Sequence, residues 1–177
     1  EVVFGLESGN DEILKNINKN TNQNQIRKAI ELAKKNEIST FCSIILGLPG
    51  DTQETIKETI DFVISLEPDY AAFTTLIPFP GSEYFEMALQ KEIIDINAAD
   101  WDSYVTIFSS KKPPCSLSEL SVDDLASIQK YALRKFLFRK KYLIKSIIKI
   151  YREGFFRANS MLKGLKTVIK HQAHKYD

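Results

Sequence analysis

Residues 41–52 constrain the fold more than any other stretch of this sequence. They read FCSIILGLPGDT: a short apolar run, a turn with two glycines and a proline, and polar residues that can cap a helix. An apolar run of this length is typical of a buried strand. Asp51 or Thr52 can cap the helix that follows, and Asp51 has the spacing of a capping box with Glu54. This turn therefore follows the carboxyl end of a strand, which is where α/β proteins bind ligands.

The same strand–turn–helix pattern occurs on both sides of this stretch. Strands are predicted over residues 2–6, 39–46 and 70–77, with helices that begin near residues 10, 21, 52 and 82. Alternation of this kind is typical of parallel strands joined by helical crossovers. Each strand ends in a turn rich in Gly or Pro, so the three turns should share one rim. We predict an α/β fold: a partial (β/α) barrel with about three parallel strands, followed by a helical extension.

Length and cysteine content narrow the class of protein. The chain has 177 residues, enough for one domain with a core, and no apolar run long enough for a membrane span. Cys42 and Cys115 cannot make a disulfide framework, which favours a reducing cytoplasm. Since the sequence begins at Glu1 directly in a predicted strand, we expect that an N-terminal part is missing.

Charge is divided unevenly along the chain. Residues 1–129 carry 10 basic and 21 acidic side chains, whereas residues 130–177 carry 14 basic and only two acidic ones. The two parts can complement each other within one molecule or assembly. Alternatively, the basic tail can bind nucleic acid or an anionic membrane surface, with the amphipathic pattern at 143–152 as the contact. The sequence leaves both interpretations open.

Three turns together resemble a known family. GLESG at 5–9, IILGLPG at 44–50 and PFPGS at 78–82 resemble the fourth, fifth and sixth strand ends of radical S-adenosylmethionine (SAM) enzymes. The likeness is closest to the branch whose members often carry an N-terminal cobalamin-binding domain, and it extends to about residue 145. Three such turns in the right order are far more specific than any one of them.

The resemblance implies a domain plan for the chain. The carboxyl half of a radical SAM partial barrel would occupy residues 1–94. Residues 95–120 would form an irregular segment that packs on the barrel. A basic helical extension would follow at 121–177.

The resemblance also implies cofactors that this chain cannot hold alone. Such enzymes bind a [4Fe-4S] cluster through a CxxxCxxC loop, with SAM as the fourth ligand, and cleave SAM reductively to modify a substrate. This sequence has no cysteine triplet, and iron–sulfur clusters need thiolates. The cluster ligands would lie in the missing N-terminal half of the same protein, and the fragment alone would be inactive. Cobalamin is a possible further cofactor, while the substrate, small or macromolecular, and the catalytic residues stay unknown.

By the same resemblance, the turn after the first strand would bind two parts of SAM. Glu7 and Ser8 stand where a polar residue binds the ribose hydroxyls, and a carboxylate accepts two such hydrogen bonds well. Lys19 loosely matches a basic residue that meets the methionine carboxylate. The alternatives are that Glu7 pairs with a Lys or Arg of a neighbouring strand, that Ser8 caps the short helix, and that Lys19 is solvated.

The second and third strands would form the adenine side of the pocket. Ile45 and Gly47 match the family pattern GxIxG, in which Ile45 would lie against the adenine and Gly47 would let the backbone approach it. Ser43 replaces the first glycine of that pattern. Thr75 and Leu76 would offer backbone groups to the adenine edge. Ile45 can equally be an ordinary core residue.

Other chemistries have little support in this sequence. It contains no P-loop, dinucleotide fingerprint or GxSxG elbow. Its only histidines, His171 and His174, are too few for a metal site. The alternative function is a non-catalytic α/β interaction module whose basic helical tail binds anionic partners.

Overall fold

The computed structural model describes residues 1–97, 101, 104, 112–139 and 144 of the chain. The structure divides into two units, Glu1–Phe136 and Leu137–Asp177. The elements are β1 (Val2–Glu7), α1 (Asp11–Asn16), α2 (Gln23–Lys35), β2 (Thr40–Leu46), α3 (Gln53–Leu66), β3 (Tyr70–Thr75), α4 (Glu83–Gln90) and α5 (Val122–Leu137). None of these described helices is both long and apolar enough to cross a bilayer. Apart from residue 144, the amphipathic pattern at 143–152 lies outside the described residues.

The three strands form one parallel sheet in the order β1-β2-β3. In its register, Gly5 pairs with Ser43, and Ser43 pairs with Ala72. The pairing of β1 with β2 shifts between Gly5 and Glu7, so a β-bulge interrupts the carboxyl end of β1. The predicted α/β class with three parallel strands is confirmed.

The central strand β2 alternates between two environments. Cys42, Ile44 and Leu46 are fully buried, whereas Ser43 and Ile45 are half-buried. Successive side chains of a strand point to opposite faces of the sheet. On the buried face, helix α2 contacts both β2 and α3. We call the other surface, which carries Ser43 and Ile45, the open face.

The helix α5 packs along β3 and covers its outer edge. Gln129 donates from Nε2 to the carbonyl oxygen of Phe73 at 2.8 Å. The rings of Phe73 and Phe136 meet edge to face with centroids 6.1 Å apart. Covering a sheet edge in this way prevents unwanted strand pairing. The first part of the predicted extension, α5, therefore packs against the sheet. The domain divisions after residues 94 and 120 stay predictions.

The other edge of the sheet, on β1, differs from the edge on β3. Val2 and Val3 are 38% and 64% exposed, and within the described residues no strand pairs with that side of β1. Exposed apolar side chains on an edge strand are a ready surface for further pairing.

The start of α3 corrects one sequence prediction. Thr52 is the N-cap, and its side chain accepts from the Thr55 backbone while Thr55 Oγ1 accepts from the Thr52 N–H. The capping box predicted for Asp51 and Glu54 is therefore wrong. Asp51 stands one residue too early, and its carboxylate turns back toward the preceding turn.

Candidate functional site

The candidate site lies at the carboxyl rim of the sheet, where the turns after β1 and β2 meet. Its most polar feature is an ion pair between Glu7, the last residue of β1, and Lys19, which follows α1. Lys19 Nζ lies 3.2 Å from Glu7 Oε1, and the two side chains are 38% and 22% exposed. The structure thus joins two residues that the sequence assigned to different ends of SAM. Glu7 thus pairs with a lysine, but this lysine follows α1 and does not belong to a neighbouring strand, as the alternative required.

Gly5 creates the space for this pair. A Cβ atom at Gly5 would lie 2.6 Å from Glu7 Oε1 and 3.4 Å from Lys19 Nζ. The carboxylate therefore lies directly over Gly5, on its face of the sheet. Glu7 itself has a φ of 63°, a left-handed conformation that is uncommon for residues other than glycine. The bulge and this backbone angle aim the carboxylate across β1 rather than out into solvent.

Ser8 points away from this pair and into the protein. It is 2% exposed, and its Oγ lies 3.0 Å from Thr59 Oγ1 of α3. The adjacent Gly9 N–H also donates to Thr59 Oγ1, at 2.9 Å. The helix α1 is capped by Asn10, so Ser8 is not its N-cap. In the structure, Ser8 joins this turn to α3 through its contact with Thr59. The predicted contact of Ser8 with the ribose stays a prediction.

Three side chains of the open face continue the site toward β3. Ser43 pairs in register with Gly5, beside the Glu7 carboxylate, and Ile45 pairs with Thr74. Thr74 donates from Oγ1 to the Ile44 carbonyl oxygen at 3.0 Å. The sequence interpretation missed Thr74. Thr74 directly precedes the predicted Thr75, and its pairing with Ile45 places it on the same face of the sheet. The sequence alone does not give this register.

Ile45 is half-buried and packs against an apolar cluster at the rim. The buried members of this cluster are Ile13, Leu48, Leu76, Ala88, Cys115 and Leu117. One side of Ile45 is therefore core, and the exposed remainder is what a ligand could touch.

The two residues predicted to offer backbone groups to adenine are the last residue of β3 and the residue that follows it. Thr75 and Leu76 are both buried, each 9% exposed. The Leu76 N–H already donates to the Leu46 carbonyl oxygen at 2.9 Å, which extends the sheet by one residue. That donor is engaged in the sheet, so the predicted adenine contact at Leu76 rests on its carbonyl group.

Gly47 is required by the fold at its position. It has a φ of 81°, and a Cβ there would lie 2.8 Å from Leu125 Cδ1 of α5. The glycine thus permits both the left-handed turn and the close approach of α5. Its predicted role, to let the backbone approach adenine, stays a prediction.

Asp51 organises the same turn from inside. Its Oδ2 accepts from the N–H groups of Gly47 and Leu48, each at 3.0 Å, and its Oδ1 accepts from Thr55 Oγ1 at 2.8 Å. Asp51 is 2% exposed. Burial raises the pKa of its carboxyl above the ordinary value of 3.8, and the bonds from Thr55, Leu48 and Gly47 oppose that rise.

The raised pKa of Asp51 predicts a pH dependence of stability. Because the pKa is higher in the folded than in the unfolded chain, the stabilising contribution is full below pH 3.8 and declines as pH rises through the folded pKa. Asp51→Asn cannot titrate and serves as the reference. The difference in unfolding free energy, wild type minus variant, should fall with pH across this window in urea titrations. A difference that rises with pH would contradict this assignment.

The described residues fit SAM better than they fit an iron–sulfur cluster. A partly exposed carboxylate and ammonium on the open face match the hydroxyls and the carboxylate of the ligand. For the cluster, Cys42 and Cys115 are both buried, and neither forms a disulfide. No group of three His, Cys, Asp or Glu side chains suited to a metal occurs in the described part of the chain. The cluster thus has no ligand set among these residues.

Comparisons with known proteins point to one family. Residues 1–63 match the family model of the Radical SAM superfamily. An uncharacterized methyltransferase of Pyrococcus horikoshii is 33% identical over 146 residues, which cover 82% of this chain and 30% of that protein. The bacteriochlorophyllide d C-12(1)-methyltransferase of Chlorobaculum tepidum is 33% identical over 113 residues, 62% of this chain and 24% of that protein.

A third relative carries a different kind of name. The anaerobic magnesium-protoporphyrin IX monomethyl ester cyclase of Rubrivivax gelatinosus is 27% identical over 166 residues, 88% of this chain and 29% of that protein. The chain therefore spans 24–30% of the length of these three relatives.

Proposed function

The chain belongs to the radical SAM superfamily, and from this premise we propose that its sheet forms one wall of a SAM pocket in an iron–sulfur enzyme. The cofactors of that superfamily are SAM and a [4Fe-4S] cluster. Since this chain has two cysteines and a cluster needs more thiolates, the proposal places the cluster ligands in residues outside it. When bound, SAM supplies the carbon–sulfur bond that is cleaved reductively.

The observation that carries the proposal is the Glu7–Lys19 pair over Gly5, 3.2 Å between Nζ and Oε1. In the proposed complex, the Glu7 carboxylate accepts hydrogen bonds from the ribose hydroxyls. Lys19 donates to the methionine carboxylate, and the exposed part of Ile45 contacts the adenine. Ser43 would lie beside the ribose, since it pairs with Gly5. Hydrogen bonds to charged groups are among the stronger ones, so these two side chains should dominate the affinity.

Substitution of Glu7 tests this assignment. In the full-length protein, Glu7→Ala should weaken binding of S-adenosylhomocysteine about 10- to 100-fold, since a hydrogen bond to a charged group contributes about 1.5–3 kcal/mol. Isothermal titration calorimetry gives the dissociation constants. The matched control is Glu12→Ala, which removes the same charge from an exposed position in the first turn of α1 and should leave binding unchanged.

Two results would overturn the proposed function. One is a full-length wild type that does not bind S-adenosylhomocysteine. The other is an anaerobically prepared full-length protein without iron and acid-labile sulfide in the ratio of a [4Fe-4S] cluster. Equal affinities of Glu7→Ala and Glu12→Ala would remove Glu7 from the site while leaving the family assignment intact.

The relatives are named for different reactions, so the class of reaction that follows SAM cleavage is not part of this proposal. Two are named as methyltransferases and one as a cyclase, so both transferase and oxidoreductase chemistry fit. Cobalamin as a further cofactor, a cytoplasmic location and an anionic partner for the basic tail are parts of the proposal that rest on the sequence alone. The non-catalytic interaction module has no observation in its favour.

A further inference from the structure

The Glu7–Lys19 pair has a consequence for which ligands the site accepts. If the proposed function holds, these side chains bind opposite ends of SAM, yet in the structure they bind each other. Lys19 Nζ engages Glu7 Oε1 at 3.2 Å. Among the described residues, Lys19 is the side chain that hydrogen-bonds to this carboxylate. Gly5 lies beneath it at a distance that leaves no room for a side chain.

The chemistry of a ribose makes this contact competitive. The two hydroxyls of a ribose use both oxygens of a carboxylate when they bind in a bidentate manner. With Lys19 on Oε1, a nucleoside must displace the ammonium group or accept a poorer arrangement. A ligand that also carries a free carboxylate gives Lys19 a new partner as it leaves Glu7. Such a ligand exchanges one charge-assisted bond for another, whereas a plain nucleoside loses one.

We propose that Lys19 is a specificity-determining latch on Glu7, which favours nucleosides that carry a free amino-acid carboxylate over nucleosides that lack one. The Lys19–Glu7 ion pair that forms this latch is weak. Both side chains are partly exposed, and exposed ion pairs contribute little to stability. It therefore biases the choice of ligand and does not close the site.

A pair of matched ligands tests the latch in the full-length protein. S-adenosylhomocysteine and 5′-methylthioadenosine share the nucleoside and the thioether, but only the first has the amino-acid carboxylate. In Lys19→Met, binding of S-adenosylhomocysteine should weaken about tenfold, because a charge-assisted bond is lost. Binding of methylthioadenosine should tighten about two- to fivefold, because Glu7 is released.

A control variant and a salt titration complete the design. Lys15→Met removes a positive charge from the last turn of α1 and should change neither affinity. In the wild type, raising the salt concentration should tighten methylthioadenosine binding, because salt screens the partly exposed pair. This second measurement requires no variant to fold.

The possible failures are distinguishable. If wild type does not bind S-adenosylhomocysteine, the proposed function fails. If it binds, and Lys19→Met weakens or leaves unchanged the binding of methylthioadenosine, the latch is overturned while the SAM pocket stands. A wild type whose methylthioadenosine affinity does not rise with salt would also overturn the latch.

Discussion

Replacing Asp51 with alanine should lower the free energy of unfolding by about 3 kcal/mol, because two buried N–H groups lose their acceptor and each costs about 1–3 kcal/mol. The N–H groups are those of Gly47 and Leu48, which both donate to Asp51 Oδ2 at 3.0 Å. Asp51 is only 2% exposed, so the folded turn offers these groups little access to water. Urea unfolding at neutral pH measures the effect.

Two milder variants separate the contacts of Asp51. Asp51→Asn keeps an acceptor oxygen for the turn and should retain most of the stability. Thr55→Val removes the bond to Asp51 Oδ1, the weaker contact of the same hydroxyl to the Thr52 carbonyl oxygen and the capping contact to the Thr52 N–H, while both bonds to Oδ2 stay. The bond to Oδ1 and the capping contact should cost about 1 kcal/mol each. If Asp51→Ala were no more destabilising than Asp51→Asn, the carboxylate would not be holding the turn.

The error over Asp51 shows what local spacing leaves undecided. An acidic residue just before a helix can turn forward to the helix N–H groups or back to the preceding turn. Which of these happens depends on the left-handed angles of Gly47 and Gly50, which curl the turn so that its own N–H groups face Asp51. Two glycines in the sequence indicate a tight turn, but they do not show in which direction it curls.

The sequence predicted the strands because their signal is local. The runs that form β1, β2 and β3 are short and apolar, and each ends at Gly or Pro. The predicted boundaries agree with the structure to within one or two residues. Their parallel order followed from the helices between them.

The contacts within the site were less predictable, because they depend on a bulge. Both Glu7 and Lys19 were named from the sequence, but their contact depends on how β1 ends. The bulge after Gly5 and the left-handed angle of Glu7 turn this side chain onto the open face and send Ser8 toward Thr59. Neither the bulge nor the left-handed angle can be recognised from the strand pattern of the sequence. The role of Gly5 became visible only with the carboxylate above it.

The second large effect is expected at Gly47. Replacing it with alanine should cost about 3 kcal/mol, from about 1 kcal/mol of strain at positive φ and about 2 kcal/mol of overpacking. The added methyl group would lie 2.8 Å from Leu125 Cδ1. Leu125 is 1% exposed, so its side chain is enclosed by other residues. The crowding therefore falls on the contact between the turn and α5.

Two comparisons isolate the overpacking from the strain. Gly81 has a similar φ of 84° but no atom within 4 Å of a Cβ, so Gly81→Ala should show only the strain, about 1 kcal/mol. In a Leu125→Ala background the obstructing atoms are gone, and Gly47→Ala should again cost only about 1 kcal/mol. Urea unfolding of the single and double variants measures both of these costs. Equal costs of Gly47→Ala in the wild-type and Leu125→Ala backgrounds would mean that α5 does not press on this turn. Gly47 would then be needed only for the turn conformation. The space beside its Cα would be open to a ligand, as the family pattern implies.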